Sequence, residues 1–187
     1  AIQKGEKIAI FGDYDVDGAT SSALLTRFFS AVSTPPRIYI PDRLKEGYGP
    51  TSDAMTLLAG EGARVVVTVD CGISSFDPLT VAKEAGLEVI VVDHHVAEAT
   101  LPEAVAVINP NRLDEDGSLG HLAAVGVAFL LVIAVNRALR DAGWYTSRPE
   151  PKLMQWLDLV ALGTVCDVVP LKGLNRANAL AEIRAGC

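Results

Sequence analysis

Three carboxylates at alternate positions, Asp13, Asp15 and Asp17, lie in the stretch Gly12-Asp13-Tyr14-Asp15-Val16-Asp17-Gly18, directly after the apolar run Ile8-Ala9-Ile10-Phe11. If the chain stays extended past that run, the three side chains point the same way. Carboxylates this close repel, and each loses hydration as it is buried. The nearest cations in sequence are Lys7 and Arg27, so the expected neutraliser is a divalent cation. Two further acids occupy equivalent places: Asp70 ends the run VVVTV, and Asp93 ends VIVV and is followed by His94 and His95. Carboxylates suit Mg²⁺ and Mn²⁺ and neutral imidazole suits transition metals, so a mixed set favours Mn²⁺. A carboxylate beside a ligating imidazole can also orient it. Asp167, in the apolar setting GTVCDVVP, needs a partner if buried; its plain alternative is to end a helix. His121 reads as a capping or core residue. The loop Arg43-Leu44-Lys45-Glu46-Gly47-Tyr48-Gly49 offers a phosphate contact at Arg43 and a stacking ring at Tyr48, against the plain reading of a solvated loop.

These residues need a frame that gathers them. Residues 7–12, 64–69 and 88–92 are uninterrupted apolar runs that end in Asp13, Asp70 and Asp93; 37–40 and 105–108 are shorter strands. Helical periods fall at 19–32, with Leu24, Leu25, Phe28 and Phe29 as the apolar face, at 51–60, from Asp77-Pro78 to Gly86, at 121–142 and at 151–165. Such alternation predicts an α/β fold, an open and mainly parallel sheet with helices on both faces, followed by a helical segment that includes a helix over 174–185. In such sheets ligands bind at the carboxyl ends of the strands, so the strand-end acids meet at one edge. Gly18 permits a tight turn there.

Half of the 187 residues are hydrophobic, and 16 basic against 23 acidic residues leave a net charge of −7. That excludes a basic nucleic-acid coat but not an enzyme holding phosphates through cations. Cys71, Cys166 and Cys187 form no CxxC pair, which favours a reducing compartment; Cys71 and Cys166 read as small buried residues. The most apolar stretch, 123–135, is too short to span a bilayer. An EF-hand loop starting at Asp13 would need Glu at its twelfth position, where Leu24 stands. G-x-x-x-x-G-K-[ST], G-x-G-x-x-G and H-E-x-x-H motifs are missing.

Asp13-Tyr14-Asp15-Val16-Asp17-Gly18 together with Asp93-His94-His95 resembles the DHH phosphoesterase superfamily. IFGDYDVDGATS (10–21), PDRLKEGYG (41–49), TVDCGISS (68–75), VVDHH (91–95), GVAF (126–129) and LVALGTVCDVVPL (159–171) are similar to the RecJ branch of single-strand-specific exonucleases. The resemblance covers nearly the whole chain. It implies a hydrolase, a two-metal phosphodiesterase using Mn²⁺ or Mg²⁺, that degrades single-stranded DNA from the 5′ end in DNA repair and recombination in the cytoplasm. A single-strand-binding protein or a helicase is the implied partner, with no membrane role. By the same resemblance Asp15, Asp17, Asp70, His94 and Asp167 are metal ligands, Asp70 bridges, His95 lies near the scissile phosphate, and Asp93 supports the histidines. Asp13 matches the first acid of the motif. Many superfamily members carry His where this chain has Phe11, which disfavours the pyrophosphatase and cyclic-dinucleotide branches and makes Asp13 a substitute ligand.

The start at Ala1 and the resemblance lead to the expectation of a segment from a longer protein: a DHH domain over 1–172 and, over 173–187, the start of a helix connecting to a second domain. Such a segment would be weakly active alone. The alternative activity is hydrolysis of short oligonucleotides or dinucleotides, and a third reading is a non-catalytic scaffold.

Overall fold

The computed structural model describes residues 1–178. The strands are β1 (Ile8–Gly12), β2 (Arg37–Tyr39), β3 (Val65–Val69), β4 (Glu88–Val92) and β5 (Ala106–Ile108); the helices are α1 (Val16–Ala31), α2 (Ser52–Gly60), α3 (Phe76–Glu84), α4 (Ala124–Asp141) and α5 (Leu157–Cys166). All four strand pairings are parallel, in the order β2-β1-β3-β4-β5. From β1 the chain runs outward to β2 and then crosses to β3 on the other side. The order therefore reverses between β1 and β3, and an open parallel sheet takes its ligand at the carboxyl end of that crevice.

Strand alternation sorts the core into two layers. Ile8 and Ile10 of β1 and Val65 and Val67 of β3 pack with Leu24, Leu25 and Phe28 of α1, Val125 and Val132 of α4, and Leu157 and Val160 of α5. Ala9, Phe11 and Val66 face the other way, onto Ala54, Met55 and Leu58 of α2 and Leu79 and Ala82 of α3. Burial on both faces is why the central strands read as unbroken apolar runs rather than alternating ones. Phe11 is wholly buried and stacked on Tyr39 with ring centroids 5.3 Å apart; it belongs to the core and holds nothing.

The α/β expectation is met, with corrections at element ends. Helix α1 begins three residues before the expected residue 19, because the Asp15 side chain accepts the Gly18 N–H and caps it. The acidic triplet is therefore not extended, and its members cannot all point one way. Helix α4 begins at Ala124 rather than 121, and His121 does not cap it. The 151–165 segment divides: Leu153–Trp156 is a 3-10 turn, and Trp156, at φ −108°, steps out of the helical region before α5 starts. Cys71 is buried as expected, but Cys166 is exposed. Residues 173–178 are helical; the rest of the helix expected over 174–185, and of the connecting segment over 173–187, lies outside the described residues, as does Cys187. Among the described residues no helix is long and apolar enough to cross a membrane.

Candidate metal centre

The ladder runs one residue beyond each central strand. Asp13 donates its backbone N–H to Val69 O at 3.2 Å, Asp70 to Val92 O at 3.0 Å and Asp93 to Ile108 O at 3.1 Å. The three strand-end aspartates are thus pinned in register along the sheet edge, on either side of the β1/β3 reversal. The β1–α1 turn then folds tightly back. A Cβ on Gly18 would lie 2.7 Å from the carbonyl carbon and 2.9 Å from the Cα of Asp13; only glycine lets α1 start this close. Asp70 takes a left-handed conformation, φ 62°, which aspartate tolerates better than most residues. The Tyr48 hydroxyl donates to its carbonyl at 3.0 Å.

The acidic triplet separates by partner. Oxygens of Asp13, Asp15 and Asp70 come within 4.8 Å of one another, and so do ligand atoms of Asp17, His94 and Asp167, and of Asp70, His94 and His95. Asp70 belongs to two of these groups and stands between the first and the second. His94 Nε2 lies 3.3 Å from Asp70 Oδ1, 3.7 Å from Asp167 Oδ2 and 3.9 Å from Asp17 Oδ2. Its Nδ1 faces Leu122 O at 3.1 Å. The carbonyl can only accept, so Nδ1 carries a proton and Nε2 is turned to the carboxylates, the arrangement that presents an imidazole to a metal. Asp167 is the C-terminal cap of α5, its N–H bonded to Gly163 O at 2.9 Å. The helix-ending role and the position in the cluster are one and the same.

Asp17 has a neutraliser that the sequence did not reveal. Its Oδ2 and Oδ1 accept the Ala124 and Val125 N–H groups at 2.6 and 2.8 Å. These are among the free donors at the N-terminus of α4, where the helix dipole also favours negative charge. Asp93 is fully occupied: Oδ1 accepts from His94 N, His95 N and His95 Nδ1 at 2.8, 3.1 and 2.7 Å, and Oδ2 accepts from Ile73 N at 3.0 Å. These bonds fix the backbone of the His94-His95 turn and the His95 ring. With Nδ1–H directed to Asp93, the half-exposed His95 ring presents Nε2 outward. The Tyr48 hydroxyl lies 3.3 Å from His95 Nδ1 and its ring meets His95 edge-on, 5.9 Å between centroids. Arg43, the expected phosphate contact, is exposed and sits over the Tyr14 ring, 4.9 Å from its centroid; the fold brings this cation close to the acidic triplet although it is distant in sequence.

The electrostatics are those of an uncompensated acidic cavity. Burial pushes Asp70 up to about 7 against a pull downward from His94, and Asp17 up to about 6 despite its two backbone donors. Asp13 and Asp167 are raised by burial as well. Burial lowers His94, but Asp70, Asp167 and Asp17 outweigh it and lift the imidazole to about 9. Burial raises Asp93, but the bonds from His95 outweigh it and its pKa ends below the ordinary value. The decisive detail is a set of orphans. Asp13 Oδ1, Asp70 Oδ1, His94 Nε2 and Asp167 Oδ2 are buried without a hydrogen-bond partner; the 3.3 Å approach of His94 to Asp70 lacks hydrogen-bonding geometry. Native proteins rarely leave buried polar atoms unpaired. Four carboxylate or imidazole atoms orphaned at one sheet edge fit hard divalent cations with mixed N/O ligation.

Some supports have no plain signal in the sequence. Asn109 Nδ2 donates to His95 O at 2.9 Å, and Asn111 Nδ2 donates to His94 O; the motif Asn109-Pro110-Asn111 reads only as a strand stop. Leu122 acts through its carbonyl, which no side-chain pattern reports.

Residues 7–164 match the DHH family, N-terminal domain. Over its whole length the chain is 45% identical to the single-stranded-DNA-specific exonuclease RecJ of Salmonella typhimurium and 44% identical to that of Escherichia coli, covering 33% of each. The chain thus spans about a third of the length of these curated relatives. Among solved structures it is similar to exonuclease RecJ bound to manganese, with TM-score 0.82 and 37% identity over 96% of this chain and 43% of that one. It is also similar to RecJ of Thermus thermophilus in complex with Mn²⁺, with TM-score 0.77 and 34% identity over 97% of this chain and 24% of that one.

Proposed function

The chain belongs to the DHH family, and from that premise we propose that it is the metal-binding part of a 5′ to 3′ exonuclease that hydrolyses phosphodiesters of single-stranded DNA in repair and recombination. The observation that carries this reading is the set of four orphaned ligand atoms, Asp13 Oδ1, Asp70 Oδ1, His94 Nε2 and Asp167 Oδ2, at the sheet edge. The ancillary support is the likeness to RecJ proteins solved with Mn²⁺ and Mg²⁺. Asp13, Asp15 and Asp70 would hold one cation and Asp17, His94 and Asp167 the other, with Asp70 shared. Two divalent cations, when bound, supply Lewis-acid polarisation of a phosphate and a strong nucleophile at neutral pH.

The remaining work falls to the chain's own side chains. His95, held by Asp93, turns Nε2 outward where a phosphate oxygen would accept its hydrogen bond, and the exposed Arg43 fits a second phosphate of the strand as a bidentate donor. Tyr48 offers a half-exposed ring beside His95 for a base. The DHH domain is proposed to end at residue 172 and a connecting helix to begin at 173. The reading carries with it a cytoplasmic location, where chromosomal DNA of bacteria such as its relatives lies, and a single-strand-binding protein or helicase as partner.

The test is Mn²⁺-dependent digestion of long single strands labelled separately at each end, alongside dinucleotides. Release of label from the 5′ end first supports the reading; hydrolysis of dinucleotides alone would replace it with the short-oligonucleotide activity, and no hydrolysis with Mn²⁺ unbound would favour a scaffold. Asp70→Asn keeps the shape and the tolerance for φ 62°. It is expected to abolish hydrolysis without loss of fold by circular dichroism, and full activity in it would sink the assignment.

A further inference from the structure

We propose that Asn175 is a positioning residue of the metal centre: its amide ties together the two backbone segments, 120–123 and 167–170, that set His94, Asp17 and Asp167. The inference rests on the reading of the cluster as a metal site and adds a residue to it.

Asn175 is wholly buried. Its Nδ2 donates to His121 O at 2.6 Å and to Pro170 O at 3.1 Å. Two carbonyls can only accept, so the orientation of the amide is settled by its surroundings. Both contacts land on segments that matter. One residue past His121, Leu122 gives the carbonyl that holds His94 Nδ1. The next turn, Ala124 and Val125, gives the two N–H groups that clamp Asp17. On the other side, Pro170 closes the short stretch that leaves α5 at Asp167. That stretch contains Val168 at φ 60°, an exposed β-branched residue in the left-handed region, a conformation that costs free energy and has to be held by the backbone on either side. Gly173 completes the dock. A Cβ there would stand 3.1 Å from His121 Nε2, so the His121 ring lies against a bare α-carbon as the helical stretch 173–178 passes.

Three groups of the second cation's set are therefore reached from one side chain by a single intervening backbone segment each. An outer partner that orients metal ligands typically accounts for about 10–100-fold in metal affinity.

The experiment uses the 187-residue chain with Asn175→Ala and the isosteric Asn175→Asp, which replaces the donor by an acceptor. Asn136→Ala serves as a control: Asn136 is also buried, but it bonds Glu150 and Tyr145 far along α4. Mn²⁺ affinity is measured by calorimetry, and the solvent protection of the His94 Nδ1 proton by NMR in metal-free protein. The expected result is a loss of about 10-fold or more in Mn²⁺ affinity and a faster-exchanging His94 proton in both Asn175 variants, with Asn136→Ala unchanged in both. Wild-type affinity and an unchanged His94 proton in Asn175→Asp overturn the proposal, and so does an equal loss in Asn136→Ala. If Asn175→Ala fails to fold, Asn175→Asp decides. If the parent chain itself does not bind Mn²⁺, the metal reading falls, while the His94 proton still decides the role of Asn175.

Discussion

Alanine in place of Gly163 tests the packing that aims Asp167. Position 163 is interior to α5, where on helix propensity alone Gly→Ala gains about 1 kcal/mol. The structure reverses the sign. A Cβ there falls inside contact distance of Thr20 Oγ1, 2.8 Å from Val125 Cγ1 and 3.1 Å from Asp17 Oδ1, where ordinary contact begins at 3.4 Å. Thr20 cannot swing aside freely, since its hydroxyl faces Val16 O at 2.8 Å and Asp17 O at 3.1 Å. Val125 is fixed in the first turn of α4. Helix α5 must retreat by at least about 0.6 Å, the shortfall of 2.8 Å against 3.4 Å at Val125, and by more unless the Thr20 hydroxyl gives way. Overpacking of this kind costs about 1–3 kcal/mol, so the net effect is a destabilisation of up to about 2 kcal/mol. In a chain of this size each kcal/mol moves Tm by about 2–4 °C, giving a fall of up to about 8 °C. Asp167 travels with the helix end, so Mn²⁺ affinity falls too. Thermal melts and calorimetry on the parent and Gly163→Ala, repeated in a Thr20→Ala background, read both effects; the double variant should recover part of the loss. A Gly163→Ala chain that melts above the parent and binds Mn²⁺ equally well refutes the reasoning.

Two further outcomes are expected. The folded-state pKa values of Asp70 (about 7), Asp17 (about 6) and His94 (about 9) all lie above their ordinary values of 3.8, 3.8 and 6.5. Each group then stabilises the metal-free fold fully below its unfolded value and loses that contribution as pH rises through the folded value. Metal-free Tm should therefore drift down as these groups deprotonate, from about pH 4 up towards pH 9, and the Tm gain on adding Mn²⁺ should be larger at about pH 8 than at about pH 5; the opposite order would contradict the acidic-cavity account. Tyr48→Phe removes the bond to Asp70 O but keeps the ring, so it should cost about 1 kcal/mol in stability and lower kcat while leaving KM for single-stranded DNA unchanged, whereas Tyr48→Ala should also raise KM. Equal KM values in the two variants would remove the ring from substrate binding.

How much of this protein was legible in advance follows from the range of the forces involved. Strand runs ending in Asp13, Asp70 and Asp93 are local facts, and alternation with helices dictates a parallel sheet whose carboxyl edge gathers whatever follows the strands. The sheet, its two layers and the presence of a cation-seeking acidic edge were therefore determined by the sequence itself. The pairing of ligands was not. Whether Asp17 shares a site with Asp13 or departs from it depends on where α1 starts, and that is decided by one capping bond from Asp15. That Asp17 meets the N-terminus of α4, that His94 is oriented by the carbonyl of Leu122, that Tyr48 reaches the backbone of Asp70 and that Asn175 pins two distant loops are contacts between segments far apart in the chain. Main-chain donors and acceptors are the same at every residue, so sequence carries no mark of which ones will be recruited; only the packed tertiary structure chooses them.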